Sequence, residues 1–363
     1  MIYFSVPCDF MPESLELFHS SNQVYPEYQI SEVYGQVTEC DFIASGRMAG
    51  SLPKVSYIEL EDYIRRCKQY DINFNYTINP SCIDYSESNI SKIYDHIKRL
   101  YHVGVRCFTV TQPIIIEIIQ DLDVNINLKA SAICEVNSLK KAIHYIKNAV
   151  NRVVIDPDIT KDFYKLRSIC SEYADKMEII VNNLCVNDCP YKMFHYNHEA
   201  HSTGSTALKK NRYFYQKCTV QKALELDSYI KMNWIRPEDL HYYTALGIRY
   251  FKLQGRSHPA GEKVSVAINA YIHGSFEGNL VDLLTLWNPY DVFQPYIDNK
   301  KLDGYLEPFV NKDNFCSGKC ELCQHCMIYT AKSINLNEYA KIADYAKKEH
   351  HYSRSTLQIE RLQ

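Results

Sequence analysis

The sequence predicts a (β/α)8 barrel of the TIM type, with a cysteine-bearing insertion after the seventh strand and a cysteine-rich C-terminal extension. Eight short apolar runs alternate with amphipathic helical patterns. The runs recur at intervals of roughly 25 to 35 residues, which suits a barrel of this type. No glycine-rich dinucleotide turn follows the first run, and an open doubly wound sheet is therefore the less favoured alternative.

The strands are predicted from runs rich in β-branched and aromatic residues. They are Ile2–Val6, Glu32–Tyr34, Asn73–Ile78, Val105–Val110, Asn125–Lys129, Val153–Ile155, Glu178–Val181 and Arg249–Leu253. Helices are predicted between them where apolar residues recur every three or four positions. These are Leu60–Tyr70, Glu87–Leu100, Val136–Lys147, Asp162–Tyr173 and Pro237–Leu246.

Two segments do not fit the barrel repeat. Residues 183–228 form an insertion between the seventh and eighth strands, which places it at the rim where barrel enzymes carry their active sites. The barrel is predicted to span residues 1–257, and residues 258–363 form the extension. The extension has an apolar stretch at Val264–Tyr271, a helix around Asn279–Trp287, a final helix Leu336–Lys348 and a loosely held polar end at 350–363.

Composition narrows the class of protein. The chain has 363 residues and a formal net charge of −3, which does not favour nucleic-acid binding driven mainly by charge. It has no basic, apolar leader at its start and no apolar run of about 18 residues. We therefore expect a cytoplasmic protein without a membrane span.

The cysteines are the strongest chemical signal. Seven of the 14 are scattered, and the other seven fall into two groups. The first group is Cys185, Cys189 and Cys218 in the insertion, where Asn187 and Asp188 favour a turn between the first two thiols. Because cytosolic thiols stay reduced, grouped cysteines indicate metal binding more than disulfides. The alternative role, as small buried hydrophobic residues, fits poorly with the polar surroundings.

The second group is a run of four thiols within the segment 316–326. It comprises Cys316, Cys320, Cys323 and Cys326. Four thiolates suit either tetrahedral zinc or an iron–sulfur cluster. The run could hold one centre of its own or lend one ligand to the first group. Its C-x3-C-x2-C part resembles the radical S-adenosylmethionine motif, but in those enzymes the motif follows the first strand.

Basic and imidazole side chains near the strand ends are candidates for substrate binding. Lys252 and Arg256 flank the end of the eighth strand, and Arg47 follows the second; all three could hold an anionic group. The alternative for each is a surface ion pair. His195 could bind substrate or belong to a polar helix face beside the metal, and metal ligation is a third role. Tyr34, Tyr76 and Asn79 could line the same barrel mouth, although core packing is the favoured role of the two tyrosines.

Four stretches carry a family resemblance. They are Val33–Gly35 with Ser45–Arg47, Phe74–Asn79, Asn183–Pro190 continuing to His195, and Ile235–Leu240 with Phe251–Arg256. On these the chain resembles the peptidase U32 family, whose members are iron–sulfur proteins. The resemblance implies a barrel-like fold and a 4Fe-4S cluster with four cysteine ligands, three of which map onto Cys185, Cys189 and Cys218.

The resemblance leaves the fourth ligand open between Cys40 and the run at Cys316–Cys326. The chain lacks the Gly-Ser/Ala-x-Cys stretch of better-known members. Three metal contents are therefore open: one cluster, two clusters, or one cluster together with zinc in the tail run.

The family name does not agree with the residues. The sequence has no G-x-S-x-G, H-E-x-x-H or Cys-His-Asn signature of a peptidase. Characterised branches resemble oxygen-independent hydroxylases, which implies hydroxylation or a related modification of a small molecule, a nucleobase or a peptide. There are two alternatives. One is a peptidase, and the other is a non-catalytic, cluster-carrying subunit that pairs with a second U32-like chain.

Overall fold

The computed structural model describes residues 1–38, 40–47, 49–123, 125–203, 213–225, 227–255, 261–286 and 294–356. Its centre is a closed barrel of eight parallel strands in sequence order, because the eighth strand pairs with the first. The strands are β1 Ile2–Pro7, β2 Tyr28–Gly35, β3 Asn73–Ile78, β4 Cys107–Val110, β5 Asn127–Ala130, β6 Arg152–Val154, β7 Met177–Ile180 and β8 Tyr250–Lys252. The predicted (β/α)8 fold is confirmed.

Helices follow the strands around the outside of the barrel. They are α1 Pro12–Val24, α2 Tyr57–Gln69, α3 Glu87–His102, α4 Pro113–Leu122, α5 Leu139–Lys147, α6 Phe163–Tyr173, α7 Lys192–Ala200, α8 Tyr213–Leu224, α9 Ser228–Lys231, α10 Leu240–Ala245, α11 Gly261–His273, α12 Leu280–Leu284, α13 Glu307–Asn311, α14 Cys320–Cys323, α15 His325–Ser333 and α16 Leu336–Thr356. None of the helices in the described ranges combines the length and apolarity needed to cross a bilayer.

Local sequence explains where the helices begin and which face they bury. Ser56 and Glu59 form a capping box at the start of α2, and each satisfies a backbone N–H of the other. On α3, Ile93, Ile97 and Leu100 are fully buried, as their spacing predicts. This apolar stripe packs the helix onto the barrel.

Some boundaries differ from the prediction. The predicted helix Pro237–Leu246 begins as a 3-10 turn, Pro237–Asp239, before α10. The last helix runs to Thr356 and so includes residues 350–356, which the sequence assigns to a loose polar end. Helix α11 packs on α1 and β1, and the outer helical ring therefore continues past residue 257 to His273. Residues 357–363 and Trp287 lie outside the described part.

The insertion between β7 and β8 carries helices α7, α8 and α9. The final helix α16 packs along α8. Val220 and Ala223 of α8 form a small apolar core with Ile342 and Ala346 of α16, separate from the main core. The C-terminal extension thus covers the outside of the insertion.

The interior of the barrel is charged, although such interiors are usually filled by branched apolar side chains. The Lys129 Nζ on β5 lies 2.6 Å from Glu32 Oε1 on β2 and 2.6 Å from Glu178 Oε2 on β7. Ser5 donates a hydrogen bond to Glu32 Oε1, and Asn75 donates one to Glu32 Oε2 at 3.1 Å. All of these side chains are buried.

Replacement of Lys129 tests how far the barrel depends on this contact. In Lys129→Met, two buried carboxylates lose their shared cation, and we expect the free energy of unfolding to fall by about 3–5 kcal/mol. Urea unfolding followed by circular dichroism measures it. The exposed Lys140→Met on α5 is the matched control, with an expected change within about 0.5 kcal/mol. Equal losses in the two variants would contradict the prediction.

The same contact predicts a pH dependence. Burial acts to raise the pKa of Glu32, but the ammonium groups of Lys129 and Lys252 lower it, to about 2. Because the folded pKa is below the unfolded value of about 4.3, ionised Glu32 stabilises the fold above that pH. We expect this contribution to be lost as the pH falls from about 4.3 toward 2, with a shallower slope in Lys129→Met.

Candidate functional site

A cavity of about 140 Å³ lies at the C-terminal ends of the barrel strands. Strand residues form its floor, and the insertion forms its wall and roof through α7 and α8. Its lining includes every described residue that the sequence predicts for substrate binding, together with two of the insertion thiols: Arg47, Lys252, His195, Cys185 and Cys218. Arg256, the fourth residue predicted to bind substrate, lies outside the described residues.

The insertion loop brings the predicted cysteine trio together. The backbone N–H of Cys185 donates to Asn183 Oδ1 at 2.9 Å, and Asp188 has a left-handed φ of 50°, so the chain turns between Cys185 and Cys189. Cys218 arrives from α8. Its charge acts on both other thiols, although only Cys185 and Cys218 are part of the cavity lining.

The groups around Cys185 shift the pKa of its thiol in both directions. Burial, and then the charge of Cys218, raise the pKa of the Cys185 thiol to about 11. Three cations, Lys222, Arg47 and Lys192, act in the opposite direction. A thiolate here therefore needs a further positive charge, and a metal centre supplies one when it binds.

A carboxylate and an imidazole pair across one turn of α7. His195 Nε2 lies 3.2 Å from Glu199 Oε1, and the His195 ring stacks on Phe214. Glu199 is 1% exposed, and its Oε2 has no hydrogen-bond partner among the described residues. It also lies close enough to Arg47 and Tyr215 for their charges to interact.

The two basic side chains of the floor are not surface ion pairs. Lys252 is 7% exposed; its Nζ lies 3.7 Å from the centre of the Tyr34 ring and 3.9 Å from Glu178 Oε1. Arg47 is half-buried and donates to Gln254 Oε1 at 3.3 Å. Both therefore present positive charge to the cavity from fixed positions.

The polar lining extends around the strand ends. Asn79 Nδ2 donates to Ser131 Oγ at 2.9 Å, and the backbone N–H of Gly46 donates to Asn79 Oδ1 at 3.0 Å. An added Cβ at Gly46 would lie 2.4 Å from the terminal methyl group of Ile133, which would have to move to admit it. Tyr34 lines the cavity and donates to the Leu253 carbonyl at 2.6 Å.

Comparisons with known proteins identify the family. The family profile for Peptidase family U32 matches residues 25–273, which is most of the chain. The chain belongs to this family. The match ends at the last residue of α11, where the outer ring of the barrel closes.

A curated relative agrees with this assignment. The uncharacterized protease MJ1657 of Methanocaldococcus jannaschii is 31% identical over 287 residues, which are 78% of this chain and 84% of that protein. Among solved structures, the U32 peptidase Mk0906 is 15% identical with a TM-score of 0.49, covering 70% of this chain and 93% of that one.

The tail cysteines lie elsewhere, beyond the family match. Cys316, Cys320, Cys323 and Cys326 line a second cavity, of about 420 Å³, which shares no lining residue with the cavity at the barrel mouth. Cys40 lines a third cavity. Within the described ranges, no three or more His, Cys, Asp or Glu side chains converge closely enough to hold a single metal ion.

Sequence reasoning missed several residues of this U32 site. Glu199 belongs to no H-E-x-x-H signature and was therefore not a candidate, but it pairs with His195 at i and i+4. Tyr215 and Lys222 lie near Cys218 on α8 and could have been found as helical neighbours. Glu178 gave no signal beyond being an acid inside a predicted strand.

Alkylation of the metal-free protein tests the burial of Cys185. A thiol with a pKa of about 11 carries on the order of a hundredfold less thiolate near neutral pH than an ordinary cysteine. We expect iodoacetamide to modify Cys185 about a hundredfold more slowly than the exposed Cys323, as followed by peptide mass spectrometry. Urea-unfolded protein is the control, in which both should react alike. Equal rates in the folded protein would contradict the described cavity.

Proposed function

We propose that this U32 protein is an enzyme that binds a 4Fe-4S cluster through Cys185, Cys189 and Cys218 and modifies a small substrate group in the cavity beside it. The observation that carries the proposal is the shared lining of that cavity: two of these thiols, a carboxylate–imidazole pair and two fixed cations. The reaction proposed is an oxygen-independent hydroxylation or a related modification.

The residues fit such a cluster in their chemistry. Thiolates are the usual ligands of iron–sulfur clusters. Lys222, Arg47 and Lys192 place positive charge around Cys185, which offsets the negative charge of a thiolate-bound cluster. A single ion needs its ligands closer together than a cluster of several irons does, and this agrees with the absence of a single-ion site among the described residues.

Among its described lining residues, this cavity has no thiol besides Cys185 and Cys218. Cys40 lines the third cavity, and the tail run lines the second. The proposal therefore leaves the fourth ligand open. When bound, the cluster would supply Lewis-acidic iron and one-electron chemistry.

The chain's own residues would bind the substrate and move protons. Lys252 and Arg47 hold an anionic group of a substrate or an organic donor. His195, paired with Glu199, is placed to take or give a proton at its second ring nitrogen, Nδ1. In a hydroxylation without O2, an organic donor gives its hydroxyl group and takes the substrate's hydrogen, so the exchange is redox-balanced.

The cavity size limits what can enter. Its 140 Å³ is below the ~300–1,000 Å³ of pockets that enclose a drug-sized ligand. We infer that a single ring or side chain is the reacting group. A small aromatic molecule, one extruded nucleobase or one peptide side chain satisfies this limit.

Peptide hydrolysis is the second candidate, because the family and the relative MJ1657 carry peptidase and protease names. His195 and Glu199 could then activate a water molecule. Cys185 is a poor nucleophile for this purpose, since burial raises its thiol pKa to about 11. Casein cleavage by the pure protein, lost in Glu199→Gln, would favour this candidate over the first.

Iron analysis tests the cluster. After anaerobic purification and reconstitution with ferrous iron and sulfide, we expect Cys185→Ser and Cys218→Ser each to remove about four irons per chain, with loss of the absorbance near 400 nm. Cys82→Ser is the control, because its thiol is half-buried and lines neither cavity. Unchanged iron in Cys185→Ser and Cys218→Ser would overturn the ligand assignment.

Glu199→Gln separates chemistry from cluster binding. We expect this variant to keep its iron and its unfolding free energy within about 1 kcal/mol, but to lose activity by about 10²–10⁴-fold, the usual contribution of a general acid or base. The readout is a species one oxygen atom heavier in RNA, quinone or peptide extracts of cells that express either form. Full activity in Glu199→Gln would show that the pair has no role in proton transfer.

A further inference from the structure

The four tail cysteines share one cavity although they come from different turns of the chain. Cys316 precedes α14, Cys320 and Cys323 begin and end α14, and Cys326 is on α15. Gly318 with φ of 72° and Gln324 with φ of 53° reverse the chain between them. All four side chains line the second cavity, whose opposite wall is Asp227 and Lys231 beside α9.

A half-buried lysine, Lys161, lies next to these thiols. Lys161 Nζ donates to the carbonyls of Met232 at 2.6 Å and Ile230 at 3.0 Å, and to Tyr305 Oη at 3.1 Å, all of them neutral oxygens. It is near enough to Cys316 and Cys326 for their charges to interact, and Tyr305 Oη lies 3.5 Å from Cys326 Sγ. The Asp239 carboxylate is a weaker charged neighbour, and an anion on the thiol side would add to the attraction on this ammonium group.

A second lysine contributes to the same field. Lys231 interacts with the charges of Cys320 and Cys326, and its Nζ also pairs with Asp227 at 2.6 Å. By contrast, the cations around Cys185 are Lys222, Arg47 and Lys192. The two groups of thiols therefore have separate cavities and separate sets of positive neighbours.

We propose that Cys316, Cys320, Cys323 and Cys326 bind an iron–sulfur cluster of their own, with Lys161 and Lys231 as its cationic neighbours, independent of any centre at the barrel mouth. All four thiols line one cavity of about 420 Å³, which leaves room for a group larger than a single ion. Four thiolates around such a cluster carry net negative charge, which complements the ammonium group of Lys161.

His325 is not one of the ligands. Its Nε2 lies 2.9 Å from the Tyr305 carbonyl oxygen, and its ring stacks on the Tyr305 ring with centroids 5.3 Å apart. The ring therefore packs against Tyr305 and Phe309 on the wall of the cavity. Because this contact occupies Nε2, our proposal assigns the ligand roles to the four thiols.

Metal counting on the full chain tests the proposal. The protein is purified anaerobically and reconstituted with ferrous iron and sulfide, and iron, sulfide and zinc are counted per chain. In a variant with Cys185, Cys189 and Cys218 all changed to serine, we expect about four irons and four sulfides to remain, without zinc. The further changes Cys320→Ser and Cys323→Ser should remove them, whereas Cys82→Ser should not.

Two results would overturn the proposal. One is a folded central triple variant, verified by circular dichroism, that binds no iron while its tail thiols are intact. The other is one zinc per chain, bound by the tail thiols and resistant to exchange for iron. Because the central thiols are absent from this variant, neither result depends on whether the barrel-mouth cluster exists.

Lys161 provides a separate readout in the same variant. Reduction adds negative charge to the cluster, and removal of a neighbouring cation should make reduction harder. We expect Lys161→Met to lower the reduction potential in a dye-mediated titration followed by electron paramagnetic resonance. The exposed Lys312→Met should leave the potential unchanged. An unchanged potential in Lys161→Met, with iron retained, would contradict the placement of this lysine beside the cluster.

Discussion

The contact of Lys129 with Glu32 and Glu178 is the constraint on which the barrel and its cavity depend. It joins three strands that are distant in sequence, and it does so inside a core where an unpaired charge would strongly destabilise the fold. Glu178 then reaches Lys252 at 3.9 Å, and Lys252 is part of the cavity floor. The position of the Lys252 charge in the cavity is therefore set by the same ion-pair network that joins the barrel strands.

The strand ends hold the cavity floor in place through contacts within the barrel. The roof of the cavity comes from the insertion instead. Lys252 is fixed from below by Glu178 and from the side by the Tyr34 ring, and neither contact involves the insertion. The thiols and the His195–Glu199 pair come from the insertion alone. Side chains from the strand ends and from the insertion thus line one cavity.

The barrel was predictable from sequence because its strands are short apolar runs at regular spacing; for Asn73–Ile78 even the ends agree. The cysteine trio was also placed correctly in one insertion, although its role as a ligand set remains a prediction. The internal charges were not predictable. Glu32, Lys129 and Glu178 occupy single strand positions that look solvent-facing in an alternating pattern, and only barrel closure makes them face one another.

The relation of the tail to the barrel follows from a buried arginine that sequence patterns also could not reveal. Arg236 is 1% exposed and donates to Asp239, to the Asn299 carbonyl at 2.8 Å and to Asp303 at 2.9 Å. It therefore fixes the segment around Asn299 and Asp303 in the extension against the 3-10 turn that precedes α10. With that segment fixed, and with α16 packed on α8, the cysteine run is held beside α9 and away from the barrel mouth. The packing that encloses the insertion from outside is also what keeps the two groups of thiols apart.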